Sequence, residues 1–339
     1  MKNRIIYYDI LRTISIIAVI VIHVIGNTIN TFNLSGIPMV VYKSIWQLMY
    51  FAVPMFVVIS GGIFLNPEKD ITLKDLYKKY IFRILIALFA FGIIYSLIEI
   101  YFINKTLNLG SLILAIKNVF TGNLWAHMWY LYLILGLYII SPILKVFIKN
   151  CSMKQLQYLL LILFIFTIII PEISAVLNLK IAFNILITSP YILLYLLGFY
   201  LTKYDIPKKY RIANYIFSII FVILIIINNF LKFFDANIIT YTSIGSFSIV
   251  ISLFLLAKNL NLQLNNKTQK IFKNISECGF GIYLIHQLII NVIYKLLKID
   301  IITKIPYIGL VIYTLLIFGM SFAIVYYLRK IKIVKKYIF

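Results

Sequence analysis

The stretch Tyr7–Gly26, YYDILRTISIIAVIVIHVIG, has the length and apolar character of a membrane helix, yet it holds Arg12 and His23, with Asp9 at its edge. Helical geometry puts these two ionisable groups on one face. Eleven residues at 100° each come to about 20° past three full turns, so Arg12 and His23 share one face, about 16 Å apart along the axis. Ionisable groups inside a bilayer are costly and turn toward a cavity or a partner. The plainer alternatives are that Arg12 snorkels to the interface or pairs with Asp9 three residues earlier, and that His23 hydrogen-bonds a neighbouring helix.

Outward from this stretch the whole chain has the same character. Of its 339 residues 63% are hydrophobic and 12% charged. That balance excludes an ordinary soluble domain and predicts an all-α, polytopic integral membrane protein. The formal net charge of +22 sits in short loops between apolar runs, which is a topology signal and not a nucleic-acid footprint. Lys2 and Arg4 precede the first run as in a signal peptide. The run is long and lacks a small-x-small cleavage site, so it is expected to stay as the first helix. Cys151 and Cys278 stand alone, which indicates neither a disulfide framework nor a CxxC site.

Runs of spanning length occur near 10–29, 43–65, 81–103, 128–148, 155–171, 184–202, 212–231, 237–257, 276–297 and 305–328. About ten transmembrane helices are therefore expected, with Pro171 and Pro190 interrupting the fifth and sixth. Residues 110–123 are too short and too polar to span, which suits an interfacial helix. With the N-terminus inside, 22 of the 32 Lys and Arg fall in inner segments and 8 in outer ones, while Arg12 and Arg83 lie within spans. This bias puts both termini in the cytoplasm. No repeat and no long polar block divides the chain, so residues 1–339 read as one transmembrane domain.

The chain has three histidines, His23, His127 and His286. His127 stands at the outer end of the fourth span among Trp and Tyr residues, where an aromatic belt is the competing explanation. His286 lies a turn or two inside the ninth span, where packing competes. There is no HExxH, HxxH or CxxC, so no metal is expected, and no GxSxG or Walker-type loop. Arg83 opens the third span, as an inner anchor or as a phosphate contact. Glu99 lies near that span's outer end, within reach of the interface, and Glu277 at the inner edge of the ninth, where solvation is expected. Ser60, Gly61 and Gly62 allow close helix packing or a backbone turn around a ligand.

Four stretches, taken together and in order, resemble the acyltransferase-3 family of bacterial membrane acyltransferases. YYDILRTISIIAVIVIH resembles its first helix with an Arg-x10-His signature, and VPMFVVISGGIFL its second, ending in Ser-Gly. HMWYLYLILGLYIISPIL resembles its His-x-Trp-(Tyr/Phe)-Leu segment, and ISECGFGIYLIHQLII its late Ser-x-Gly-Ile-Tyr-Leu-x-His helix. The chain departs from the family in two places. Tyr80, preceded by Lys78 and Lys79, stands where many members carry a second arginine three residues before the one matched by Arg83. Tyr132, Leu133 and Ile134 stand where some relatives have a Glu. Some relatives also carry an extracellular hydrolase-like domain; this chain runs to Phe339 without one, and is expected to complete the transfer alone or to hand the acyl group to a separate protein.

The resemblance implies transfer of an acyl group, acetyl above all, from cytoplasmic acyl-CoA to a hydroxyl of a cell-surface glycan or its lipid-linked precursor, in the bacterial cytoplasmic membrane. It implies no metal and no nucleic acid. The bilayer, the glycan acceptor and polysaccharide-assembly proteins are the expected partners. His23, Arg12 and His286 are then the catalytic candidates, with His23 as base for the acceptor hydroxyl. Arg12, Arg83, Lys79 and Ser60 are the candidates for holding the donor, whose phosphates suit guanidinium groups. His127 and Trp129 are the candidates for the acceptor. The competing functions are a transporter or flippase for a polysaccharide or an acylated intermediate, a different membrane acyltransferase fold in which His286 alone is catalytic, and a non-catalytic assembly subunit.

Overall fold

The protein is described by a computed structural model covering residues 4–32, 34–69, 71–179, 181, 189–233, 235, 239–260 and 264–338. Among the described residues it is all helix: α1 Ile6–Thr31, α2 Gly36–Phe64, α3 Leu73–Asn104, α4 Leu109–Thr121, α5 Ala126–Asn150, α6 Met153–Leu177, α7 Pro190–Lys203, α8 Lys208–Leu231, α9 Ile244–Asn259, α10 Asn266–Leu296, α11 Pro306–Leu328 and α12 Lys332–Tyr337. Eight of these, α1, α2, α3, α5, α6, α8, α10 and α11, are long and apolar enough to cross a bilayer.

The remaining two expected spans fall on shorter helices, α7 with 14 residues and α9 with 16. At 1.5 Å per residue they reach about 21 and 24 Å, short of a hydrocarbon core of about 30 Å. Residues 184–188 and 237–238 of those spans, with Lys2 and Lys180, lie outside the described residues. The segment expected to be too short to span is the 13-residue α4. The two prolines behave differently from a simple interruption. Pro190 opens α7, where its fixed φ and missing N–H cost nothing. Pro171 sits inside α6, directly after a π-type turn at Ile165–Ile169. The wider turn accommodates a proline ring that would otherwise strike the carbonyl four residues back.

The exposed faces of the outer helices are apolar, as lipid contact requires; α8 exposes Ile216, Ile219, Ile223 and Phe230. Packing between helices uses small and polar residues. In α8 and α9, Ser218 Oγ lies 2.6 Å from Ser248 Oγ and 2.8 Å from Ser252 Oγ, and Asn214 donates to Ser252 at 2.7 Å. Glycines act at the α2–α7 crossing. A Cβ on Gly61 would strike the Tyr195 carbonyl, and one on Gly198 would strike the Val58 carbonyl. Each glycine thus lies under a carbonyl of the other helix, the close approach that only a residue without a Cβ permits. The SGG run therefore serves packing, within helix that continues unbroken from Ala52 to Phe64.

The pair that sets up the site is α1 with α10. Arg4 bonds Glu277 at 2.9 Å, Asn27 bonds Gln287 at 3.5 Å and Thr28 bonds Tyr294 at 3.0 Å. Residue numbers rise together along both helices, so the two run parallel. Polar residues thereby meet near both ends of the pair.

Candidate active site

Two polar clusters occupy opposite ends of α1. The first surrounds Arg12. Arg4 Nε and Nη2 hold the Asp9 carboxylate at 2.5 and 2.9 Å, and Arg4 Nη1 also reaches Glu277. The hydrogen bond to Asp9 holds the Arg4 pKa above its ordinary value. Arg329 Nη2 bonds the other Glu277 oxygen at 3.2 Å. Glu277 is therefore an ion-paired bridge between two arginines. The expectation of simple solvation is corrected here, because the parallel α1–α10 packing brings Arg4 to it. Asp9 is already engaged by a bidentate guanidinium, so the i,i+3 pairing with Arg12 does not form. Among the described residues no carboxylate comes within ion-pair distance of Arg12 or Arg83.

Arg12 is half-buried beside Tyr130 and Tyr138. Arg83 lies near Arg329, Tyr80 and Tyr138, and donates to the carbonyls of Lys335 and Lys336, both at 3.4 Å. Tyr80, the departure from the two-arginine pattern, packs edge-on to Phe64 at 4.8 Å. Ser60 lies close to the Tyr138 hydroxyl. Lys79 is exposed and paired with Asp75 at 2.7 Å. Four guanidiniums thus share two carboxylates at this end, and the unmatched charge sits on Arg12 and Arg83. Unpaired cations held in place without a counter-charge make an anion site.

The second cluster unites all three histidines. Their ring centroids lie 5.1 Å (His23–His286), 5.2 Å (His127–His286) and 6.0 Å (His23–His127) apart. The packing of α1 against α10 supplies His23 and His286, and the tight turn at Ala126–Met128 supplies His127. Nδ1 of His286 lies 2.7 Å from the Tyr283 carbonyl and 3.2 Å from that of Ile282. A carbonyl can only accept, so Nδ1 carries the hydrogen and the neutral ring keeps its lone pair on Nε2. That Nε2 is buried without a hydrogen-bond partner among the described residues, as are both ring nitrogens of His127. The Leu284 carbonyl beside His127 accepts the Tyr95 hydroxyl at 2.6 Å. Buried polar atoms left unpaired cost about 1–3 kcal/mol each, so their clustering asks for an explanation beyond packing.

A file of tyrosines joins the two clusters. Tyr138 and Tyr130 lie within electrostatic reach of Arg12. Tyr130 lies 5.5 Å from Tyr283, and Tyr283 lies 5.5 Å from His127 and 6.0 Å from His286. The Tyr283 hydroxyl donates to the His127 carbonyl. Sequence reasoning missed this file.

Beyond the histidines opens a cavity of about 1160 Å3. His23 lines it, together with Trp129, Trp125, Glu99, Asn27 and Gln287. Its ring makes no hydrogen bond among the described residues, so one face meets the buried histidines and the other a space large enough for a substrate. Trp129 packs at 5.9 Å from Tyr191 and 5.8 Å from Tyr241. Glu99 accepts from the Trp125 indole N–H at 3.1 Å, and the Trp125 ring stacks on Tyr95 at 4.1 Å. The sequence-derived residues thus separate by role: Arg12, Arg83 and Ser60 gather at one end, His23, His127 and His286 at the other, and Trp129 in the cavity, with Lys79 apart on the surface. No group of three or more His, Cys, Asp or Glu among the described residues is arranged to hold a metal.

The family model of acyltransferase-3, described as an acyltransferase domain, matches residues 5–330. No curated protein and no solved structure matches the chain.

Proposed function

The chain belongs to the acyltransferase-3 family, and on that premise we propose that it moves an acyl group, acetyl first, from acyl-CoA on the cytoplasmic side to a hydroxyl of a cell-surface glycan or its lipid-linked precursor. The observation that carries this reading is the arrangement along α1: guanidiniums without a carboxylate partner among the described residues at one end, and near the other a histidine that lines a large cavity and whose ring makes no hydrogen bond among the described residues. The donor is polyanionic at one end and reactive at the other, and the two clusters suit those ends. In this reading all 339 residues act as one transmembrane domain. The arginine end faces the cytoplasm with both termini, α7 and α9 complete ten spans, and the protein sits in the bacterial cytoplasmic membrane near polysaccharide-assembly proteins.

The step proposed is direct transfer. The His23 imidazole takes the proton of the acceptor hydroxyl as its oxygen attacks the thioester carbonyl carbon. The tetrahedral oxyanion collapses, the C–S bond breaks, and the leaving thiolate recovers the proton from the imidazolium. General-base help of this kind contributes about 10²–10⁴-fold. Arg12 and Arg83 bind the donor phosphates, with Ser60 orienting Tyr138 beside them. His286 orders the cluster through its fixed tautomer, and Trp129 contacts the acceptor from the cavity lining, whereas His127 is buried off that lining and packs behind His23 and His286. Lys79, paired with Asp75, contributes only general positive charge.

The test is saturable binding of radiolabelled acetyl-CoA to the protein in nanodiscs and transfer of label to membrane glycolipid. Absence of both, with glycolipid flux across proteoliposomes instead, would overturn the proposal in favour of a transporter. Within the same assay, Arg12→Ala is expected to raise the acetyl-CoA KM about 10–100-fold, the worth of one charge-assisted contact, with partial recovery in Arg12→Lys. Unchanged donor kinetics would remove Arg12 from donor binding.

A further inference from the structure

The lining of the cavity is chemically uneven. Six carboxamides border it, Asn27, Asn30, Asn118, Asn123, Gln287 and Asn291. So do Trp46, Trp125 and Trp129, the three tryptophans of the chain. None of the five arginines does. The charged side chains on the lining are Glu99 and Lys295, one of each sign, and Glu99 is already held by the Trp125 indole. The contrast with the arginine end of α1 is sharp, since there the chain masses guanidiniums.

The carboxamides nearest His23 form a ladder. Asn27 Nδ2 donates to the His23 carbonyl at 2.7 Å and to Gln287 Oε1 at 3.5 Å. Gln287 Nε2 donates to Asn27 Oδ1 and to Asn291 Oδ1, both at 3.4 Å. The bonds among the three side chains are long, near the limit at which a hydrogen bond still counts, so ligand groups can replace them at little cost. The π-type turn at Val292–Leu296 follows directly, where the helix widens beside the cavity. Trp46, also on the lining, has a buried indole N–H with no partner among the described residues.

A carboxamide offers two donors and an acceptor with no charge, which matches vicinal hydroxyls that each donate and accept. Aromatic faces supply apolar contact for the carbon side of a ring. An anion would rely on Lys295 alone, an exposed cation on a lining that also carries the Glu99 carboxylate, and so recovers little of its desolvation cost. We infer that the part of the acceptor entering this cavity is an electrically neutral, hydroxyl-rich sugar unit, selected by Asn27, Gln287, Asn291 and the tryptophans against uronate and phosphorylated units. The inference rests on the acyltransferase reading only in calling this ligand the acceptor. Gln287 is a specificity residue and takes no part in bond making.

All tryptophan emission of this protein arises from the cavity lining, so fluorescence reports occupancy without any need for turnover. The full chain in nanodiscs is titrated with four probes: maltobiose and diacetylchitobiose as neutral ones, digalacturonate and glucose 6-phosphate as anionic ones. A saturable change is expected with at least one neutral probe, at an affinity at least tenfold above either anion. Gln287→Lys, which adds a cation to the ladder, is expected to shift the neutral-to-uronate preference about tenfold toward uronate. A merely structural role for Gln287 would weaken all probes alike. Preferred binding of an anionic probe, or no saturable change with any of the four, overturns the inference. Acetyl-CoA binding measured on the same sample keeps the outcomes separate: donor binding with anion preference sinks only the neutral-acceptor inference, whereas neutral-sugar binding without donor binding or transfer sinks only the acyltransferase proposal.

Discussion

His23→Ala is expected to lower label transfer from acetyl-CoA to glycolipid by about 10³-fold, with acetyl-CoA affinity kept within about threefold and the size-exclusion profile unchanged. The magnitude follows from what the side chain alone can do. His23 is the one histidine of the cluster that lines the cavity, so it alone can meet a hydroxyl arriving from that side. Its loss removes the base, a factor of about 10²–10⁴, and leaves the arginine end of α1 intact. His286→Ala is expected to cost less, about 10²-fold, because its Nδ1 is committed to backbone carbonyls and its ring acts on the neighbouring imidazole. The order of the two effects separates the candidate mechanisms. If His286→Ala proved inactive while His23→Ala kept more than a tenth of the activity, the late-helix histidine would be the catalytic one and the proposed role of His23 would fail. Near-normal activity in both variants, and in His127→Ala, would point to an assembly subunit without chemistry.

The helical period makes part of this site legible in the sequence. Arg12 and His23 share a face by arithmetic alone, and apolar residues around them raise the cost of both charges enough to signal purpose. His127 and His286 carried no such arithmetic. Each sits in its own helix or turn with a plausible packing role, and their meeting with His23 is a consequence of tertiary packing between α1, α10 and the turn that opens α5. The tyrosine file is less legible still. The chain has 26 tyrosines, so one more in an apolar run carries no signal until Tyr130, Tyr138 and Tyr283 are seen to line up between the clusters. The carboxamide ladder left a faint trace: Asn27 lies one turn after His23, and Gln287 is next to His286. Asp9 shows how a local rule is overridden. Spacing offers it to Arg12, but Arg4 binds both of its oxygens, and that leaves Arg12 the cation without a carboxylate.

Gly198→Val and Gly61→Val are each expected to abolish recovery of monodisperse protein, the largest stability effect available outside the site. The reason is local and geometric. At the α2–α7 crossing a side chain at either position meets backbone, not a movable side chain, so the helices must separate to admit it. Their separation strands more than that contact. The Thr202 hydroxyl donates to the Gly198 carbonyl at 2.7 Å and lies 2.7 Å from the Tyr8 hydroxyl, which ties α7 to α1 one turn before Arg12. The Tyr195 hydroxyl lies 2.7 Å from Ser141 Oγ on α5, the helix that carries Tyr130 and Tyr138. Ser60, immediately before Gly61, lies close to the Tyr138 hydroxyl. Forcing the crossing apart therefore moves three of the helices that hold the arginine end together. Gly136→Ala provides the contrast, because an added Cβ there meets nothing within 4 Å; it should be recovered at the wild-type level. Size-exclusion recovery and thermal stability in detergent measure both. Well-folded Gly198→Val protein with an unchanged acetyl-CoA KM would show that the close crossing is not what positions Arg12.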